Sequence, residues 1–369
     1  MLRLGGLGLG FGVVALTLGV MAWGDGWEPF GSDAYGMKWG LGRDIYLSAD
    51  RAKIAGDDLW IVSGNGKLFR VSERAATAED ASLEDNVLDI CVSGDTVRLI
   101  SAPTSRLSEW TMRTRENGAW KPGPTFDSRG AGLVAIVCGE GGVTVVTSRH
   151  LINLNQNGVT HRIRLSHRIP SAMSNTVIEQ GRQLLIGANW GHYGGGLYRL
   201  DWETGEVTVV ESAPGEPCER FLDAECSPIV GMVPIPWKPQ CTAALVGGGG
   251  YSVERNAVLE VCGSEVKPLL RADCGTDLDP KGDTRTMLPC MSTGLAAVDG
   301  RLLLMGTHAP LWRTAEEEVD GRSPTFQSIG PYRIAFEGNV VLIDRLNNRE
   351  EIPDLLAVPR PRAESGATT

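Results

Sequence analysis

The run Asp277-Leu-Asp279-Pro-Lys281-Gly282-Asp283 sets carboxylates at alternate positions and a glycine where a calcium loop turns sharply. Three such oxygens converging on one ion would suit Ca²⁺. However, Lys281 stands where a third ligand belongs and Leu288 where the bidentate acid belongs, so an exposed acidic loop is the preferred reading. Asp277, Asp279 and Asp283 are retained as candidate Ca²⁺ ligands, and no other cofactor is indicated. His150, His161, His167, His192 and His308 lack the HExxH spacing of a zinc hydrolase, and no GxSxG elbow supports a serine nucleophile. Trp190, His192 and Tyr193 precede three glycines, an arrangement of flat rings beside bendable backbone that could receive a sugar or a proline; packing over a sheet edge is the plainer account. Tyr251 follows four glycines that lack the Lys-Ser/Thr and helix of a phosphate loop. Tyr251, Arg255, His308 and Trp312 complete the candidate ligand contacts.

The eight cysteines are even in number, and no pair has the CxxC spacing of a zinc or redox site, so disulfides are the expectation. Proximity points to Cys218 with Cys226, Cys241 with Cys262, and Cys274 with Cys290. Cys91 in Asp-Ile-Cys-Val and Cys138 in Ile-Val-Cys-Gly occupy similar places in successive units, where they either pair or stay as buried thiols. The compartment agrees with this. Arg3 is the lone charge ahead of an apolar run from Leu4 to Ala22, with small residues at Val20 and Ala22, as in a signal peptide cut after Ala22. An uncleaved membrane anchor is the alternative, since the run approaches the thickness of a bilayer. The expected location is periplasmic or extracellular, with no stable membrane span if the leader is removed.

These residues must be held by short elements. The chain has 47 glycines and 20 prolines and few long amphipathic runs, which is the habit of β proteins. A unit recurs in which a tight Gly or Asp turn precedes an aliphatic strand. Examples are Gly56-Asp57-Asp58, Gly94-Asp95, Glu140-Gly141-Gly142, Gln180-Gly181-Arg182 and Asp299-Gly300-Arg301. A sixth copy, from Ser227 through Thr242 to Val246, keeps the strand pair but lacks the short turn. Four-stranded sheets with two apolar faces cover both by stacking around an axis, so the expected fold is an all-β propeller.

The stretch Gly196-Leu-Tyr-Arg-Leu-Asp-Trp-Glu-Thr-Gly205-Glu-Val, with a fainter copy at Lys67-Leu-Phe-Arg-Val, resembles the outer-strand consensus of quinoprotein-like and YVTN-like propellers. That resemblance implies the fold and no particular family. Six blades are expected, with second strands near residues 59, 97, 143, 184, 242 and 302, and with Tyr332 to Phe336 and Val340 to Asp344 finishing the last; seven is the alternative. The division is a leader at 1–22, an extension or ring-closing strand at 23–50, the propeller at 51–356 and a disordered tail at 357–369.

In such a blade the first-to-second and third-to-fourth turns share one face, and the other face carries the second-to-third loops and the interblade connections. The latter are long here: Asn189 to Gly196, Ser212 to Ser227, Gly247 to Arg255, Ala272 to Met291 and Thr307 to Gly330. Long loops on a rigid scaffold are where binding residues gather. The expectation is a binding or scaffolding module for a protein, peptide or glycan. A lyase, lactonase or glycan hydrolase with an acidic or metal-assisted centre at the channel mouth is the alternative. The net charge of −10 removes the attraction to phosphate that nucleic acids and anionic membranes require. The basic and aliphatic alternation from Thr160 to Ile169 reads as an outer strand.

Overall fold

The computed structural model describes residues 49–360, apart from 76, 82, 107, 140–141, 172–173, 190–193, 213–221, 224–225, 248–256, 272–291, 307–310, 317, 321 and 345–354. The described residues form seven four-stranded antiparallel sheets. Blade 1 holds β1 (Ala49–Ala55), β2 (Asp58–Ser63), β3 (Leu68–Ser72) and β4 (Thr77–Asp80), and blade 2 holds β5 (Asn86–Ser93), β6 (Thr96–Ala102), β7 (Glu109–Glu116) and β8 (Ala119–Asp127). Blade 3 is β9 (Leu133–Gly139), β10 (Gly142–Thr147), β11 (His150–Asn155) and β12 (Gly158–Arg164); blade 4 is β13 (Ser174–Gln180), β14 (Gln183–Asn189), β15 (Gly195–Asp201) and β16 (Val207–Val210). In blade 5 come β17 (Ile229–Ile235), β18 (Lys238–Val246), β19 (Ala257–Cys262) and β20 (Glu265–Arg271). β21 (Ser292–Val298), β22 (Arg301–Gly306), β23 (Leu311–Arg313) and β24 (Glu318–Asp320) make blade 6, and β25 (Gln327–Ile329), β26 (Tyr332–Glu337), β27 (Val340–Asp344) and β28 (Leu355–Pro359) make blade 7.

The propeller expectation holds, but the count of six is corrected to seven. β26 and β27 do not finish the sixth blade; they are the middle of a seventh, flanked by β25 and β28. Two features hid it. The stretch from Thr307 to Gly330, read as one loop, contains three strands of three residues each, too short for a periodic signal. The last strand, β28, runs to Pro359, past the boundary drawn at 356. Blade 5 also has a short first turn, since Ile235 pairs with Lys238 across Pro236 and Trp237, with neither Gly nor Asp to announce it.

The recurrent Gly turns have the backbone that glycine permits. Gly56, Gly94 and Gly181 lie at φ of 58°, 56° and 60°, where an L side chain is strained. At the third-to-fourth hairpin of blade 4, the Asp201 carboxylate accepts the N–H groups of Glu203 and Thr204 at 3.0 and 2.9 Å, and Gly205 turns the chain at φ 75°.

The core is divided into seven apolar clusters, one at each junction of neighbouring blades. Trp60, Val62 and Leu68 of blade 1 meet Val87, Ile90 and Leu99 of blade 2, for example. Each sheet is therefore buried on both faces, as radial stacking requires.

Blades 1 to 6 place their first strand at the axis, and blade 7 places its last. β28 sits between β1 and β21 around the channel, while the three-residue β25 lies at the rim. Among the described residues the ring therefore closes without a shared sheet between the first and last blades. Closure rests on Ile329, Tyr332, Ile334, Val341, Ile343 and Val358 packing against Ala52, Leu59, Ile61 and Val71. Beyond β28, Arg360 pairs with Glu73 in the β3–β4 turn and stacks 5.0 Å over Phe336. Leu355 is buried where blade 7 meets blade 6. Leu355→Ala is expected to lower unfolding stability by about 2–5 kcal/mol in urea titrations, and deletion of residues 355–369 to abolish the single cooperative melt; an unchanged melt of the deletion would show that the ring closes without β28.

Candidate functional site

Each innermost strand is hydrogen-bonded on one side only, so its other edge of N–H and C=O groups faces its neighbours around the axis. These seven strands enclose a cavity of about 340 Å³ with largely aliphatic walls and a polar sector made by Arg51, Lys53, Asp89, Asn175 and Thr176. The polar side chains tie the inner edges together. Arg51 on β1 donates to the carbonyl of Leu88 at 2.5 Å, joining blade 1 to blade 2. Asp89 on β5 accepts from Ile136 N at 3.0 Å, joining blade 2 to blade 3. Asn175 on β13 donates to Val134 O at 3.3 Å, joining blade 3 to blade 4. At the far end of β13, Gln180 donates to Thr242 Oγ1 in blade 5 at 2.7 Å.

Asp89 is the centre of this hub. Its other oxygen accepts the Ile90 N–H at 2.7 Å and lies 3.4 Å from Arg51 Nε, both side chains being about a tenth exposed or less. Burial pushes the carboxyl above its ordinary value of 3.8, while Arg51, the Ile90 N–H, Lys53 and the Ile136 N–H pull against it. Both oxygens are thus committed to the frame. Asn175 Oδ1 is buried without a protein hydrogen bond, so this acceptor remains for a molecule entering the channel.

The two described disulfides lie at the turn-face ends of their strands. Cys91 near the end of β5 is bonded to Cys138 near the end of β9, with Cα atoms 5.5 Å apart, so the inter-blade alternative is the one realised. Cys241 and Cys262 are bonded between β18 and β19, as proximity predicted. Neither borders the long loops, so these bridges stiffen the frame rather than a recognition surface. Cys226 is disulfide-bonded as well, while Cys218, Cys274 and Cys290 lie outside the described residues. Cys241, Cys262 and Glu260 cluster as metal ligands would, but their sulfurs are spent on each other and Glu260 accepts from Lys238 Nζ at 3.1 and 3.0 Å.

Of the candidate ligand contacts, Trp312 is described. It lies in the third strand of blade 6, half-buried against the cluster shared with blade 7, with the Arg301 guanidinium 4.4 Å from its ring. Trp190, His192, Tyr193, Tyr251, Arg255 and His308 lie outside the described residues, as do Asp277, Asp279 and Asp283. The hub residues Arg51, Asp89 and Asn175 were missed by sequence reasoning. A signal existed for one of them, because Asp89 is a lone acid inside the apolar run Val87-Leu88-Asp89-Ile90.

Removing the Asp89 carboxylate takes the acceptor from two inner-edge N–H groups and an ion-pair partner from the buried Arg51. Asp89→Ala is expected to cost about 3–5 kcal/mol in urea unfolding. Because the folded protein holds this proton more tightly than the unfolded chain, the contribution of Asp89 to stability falls as pH rises from 3.8 through the folded value; Asp89→Asn should remove that component from a pH series of melts.

No family model matches the chain, and no curated protein matches it. Among solved structures it is similar to YCF48 from Cyanidioschyzon merolae, at 12% identity and a TM-score of 0.49 over 81% of this chain and 92% of that one. It is also similar to BamB from Moraxella catarrhalis, at 11% identity and 0.42 over 80% and 82%, and to YCF48 bound to D1 peptide, at 12% identity and 0.43 over 75% and 81%. These neighbours are β-propeller proteins, and at such identity the likeness concerns the fold alone.

Proposed function

We propose that the protein is an exported recognition module that binds a peptide or protein segment on the face carrying its second-to-third loops and interblade connections. The observation that carries this reading is the commitment of Asp89 to the frame. The carboxylate inside the axial channel holds two backbone N–H groups and Arg51, so it serves packing and not proton transfer. An enzyme reading needs a converging acid–base pair there. The asymmetry of the two faces adds support: the first turns of blades 1, 2, 4, 5 and 6 are two residues long, and chain length is spent on the other face.

That face is also stiff where it is described, as a preorganised binding surface requires. Asp85 in the β4–β5 connection pairs with Arg113 at 2.6 Å, and Asn86 donates to Thr104 Oγ1 in the β6–β7 loop at 3.2 Å. Export is supported by the disulfides, which persist in oxidising compartments. Among the described residues no helix is long and apolar enough to cross a membrane.

The test is selection of peptides from a random library on the full chain, followed by binding to variants of each face. Thr104→Arg with Arg106→Glu on the loop face should weaken selected peptides by about tenfold or more, while Asn117→Gly and Asn157→Gly in turns of the opposite face leave them unchanged. Peptides indifferent to the loop face, or a library that yields none while an oligosaccharide panel yields binders, would overturn the reading.

A further inference from the structure

Blade 3 and its flanks carry a charge opposite to that of the whole. Residues 127–170 hold Arg129, Arg149, Arg162, Arg164 and Arg168 and three of the five histidines, against Asp127 and Glu140, in a chain of net charge −10. Most of these side chains come together from three separate segments. Ser148 N donates to Gly132 O at 2.8 Å, Leu165 N to Arg149 O at 2.9 Å and Ile169 N to Ser148 O at 3.1 Å. The β8–β9 connection, the β10–β11 turn and the end of β12 are thereby fixed against one another. His150 faces Arg164 directly across the β11–β12 ladder, and Arg162 reaches back to Asp127 O on blade 2 at 2.8 Å. The Asp127 carboxylate is engaged by the Arg129 N–H at 2.7 Å.

Two further observations point to an anion. Arg162 Nη1, a charged donor, is buried without a hydrogen-bond partner. The His150 imidazole is held below its ordinary value of 6.5 by burial and then by Arg162, Arg129, Arg164 and Arg149, so the positive field of the group is felt at its centre.

The backbone narrows the class of anion. Among the described residues β12 is the outermost strand of blade 3 and is paired on its β11 side alone. Every other outer strand is either short or interrupted: β4 and β16 have four residues, β24 and β25 three, and the longer β8 and β20 contain prolines. β12 has seven residues and no proline, with Val159, Thr160 and His161 exposed. Edge arginines by themselves would serve to repel unwanted strands. That purpose does not call for Arg129 and Arg149, which arrive from other segments. Arg162 and Arg164, two apart, share the side of β12 turned toward blade 2, whereas Ile163 packs toward blade 4.

We propose that β12 is an addition site for an acidic peptide strand, which continues the sheet while its alternate carboxylates meet Arg129, Arg149, Arg162 and Arg164. This rests on the peptide-binding reading above and gives it a chemistry. A strand laid beside β12 brings side chains on the same face to about 4.5–5.5 Å, close enough for direct ion pairs. A long polyanion is a poorer fit, since it would run off a local basic patch onto a surface of net negative charge, where screening acts only beyond about 8 Å.

The experiment uses the full chain and a fluorescein-labelled seven-residue peptide of alternating Glu and Val, with its Gln–Val counterpart, in anisotropy titrations. The Glu peptide should bind at least about tenfold more tightly than the Gln peptide, and Arg129→Gln with Arg164→Gln should remove that advantage at an unchanged melting temperature. The Glu peptide N-methylated at alternate amides should bind at least about tenfold more weakly, because it cannot continue the ladder. Equal binding of the Gln peptide, indifference to the double variant, equal binding of the N-methylated peptide, or tighter competition by a sulfated oligosaccharide of equal charge would each overturn the assignment. Failure here alongside library peptides that still depend on the Thr104 and Arg106 surface would remove this site and leave the wider reading standing.

Discussion

The constraint on which the molecule depends is the row of unsatisfied backbone groups along the inner edge of each blade. A four-stranded sheet leaves its first strand with one unpaired edge, and a ring of seven brings seven such edges to the axis. Water in the channel can satisfy some of them. The others are met by side chains reaching across the seams, and Arg51, Asp89 and Asn175 do this between blades 1 and 4. One sector of the channel wall is polar because its strands need partners there.

Closure follows the same logic with different means. The last blade is threaded from the rim inward, so its final strand takes the axial place that the first strand takes elsewhere. Among the described residues no strand is exchanged between the first and last blades, and apolar packing with the Arg360–Glu73 pair holds the seam. Such a seam is weaker in directional bonds than a shared sheet. The Cys91–Cys138 bridge lies elsewhere, where blade 2 meets blade 3, and stiffens that junction covalently.

Charge is distributed to purpose as well. The chain as a whole is acidic, with a net charge of −10. Against that background a fixed group of arginines at one blade stands out as a local inversion of sign. Its members belong to three segments that backbone hydrogen bonds hold together.

The amino-acid sequence by itself determined the β class, the propeller repeat, six of the seven second strands and the outer position of Thr160 to Arg164, and proximity pointed to the Cys241–Cys262 pair without fixing it. These are local properties, set by turn glycines, aliphatic periodicity and separation along the chain. It missed blade 7 because three-residue strands carry no period and because a blade threaded outside-in breaks the order of the repeat. The Cys91–Cys138 bond, the Asp89 hub and the gathering of Arg129 and Arg149 beside Arg162 and Arg164 were decided only by tertiary structure. Each joins residues from different strands or blades, and only the closing of the ring, which sets neighbouring inner strands edge to edge, fixes which of them meet.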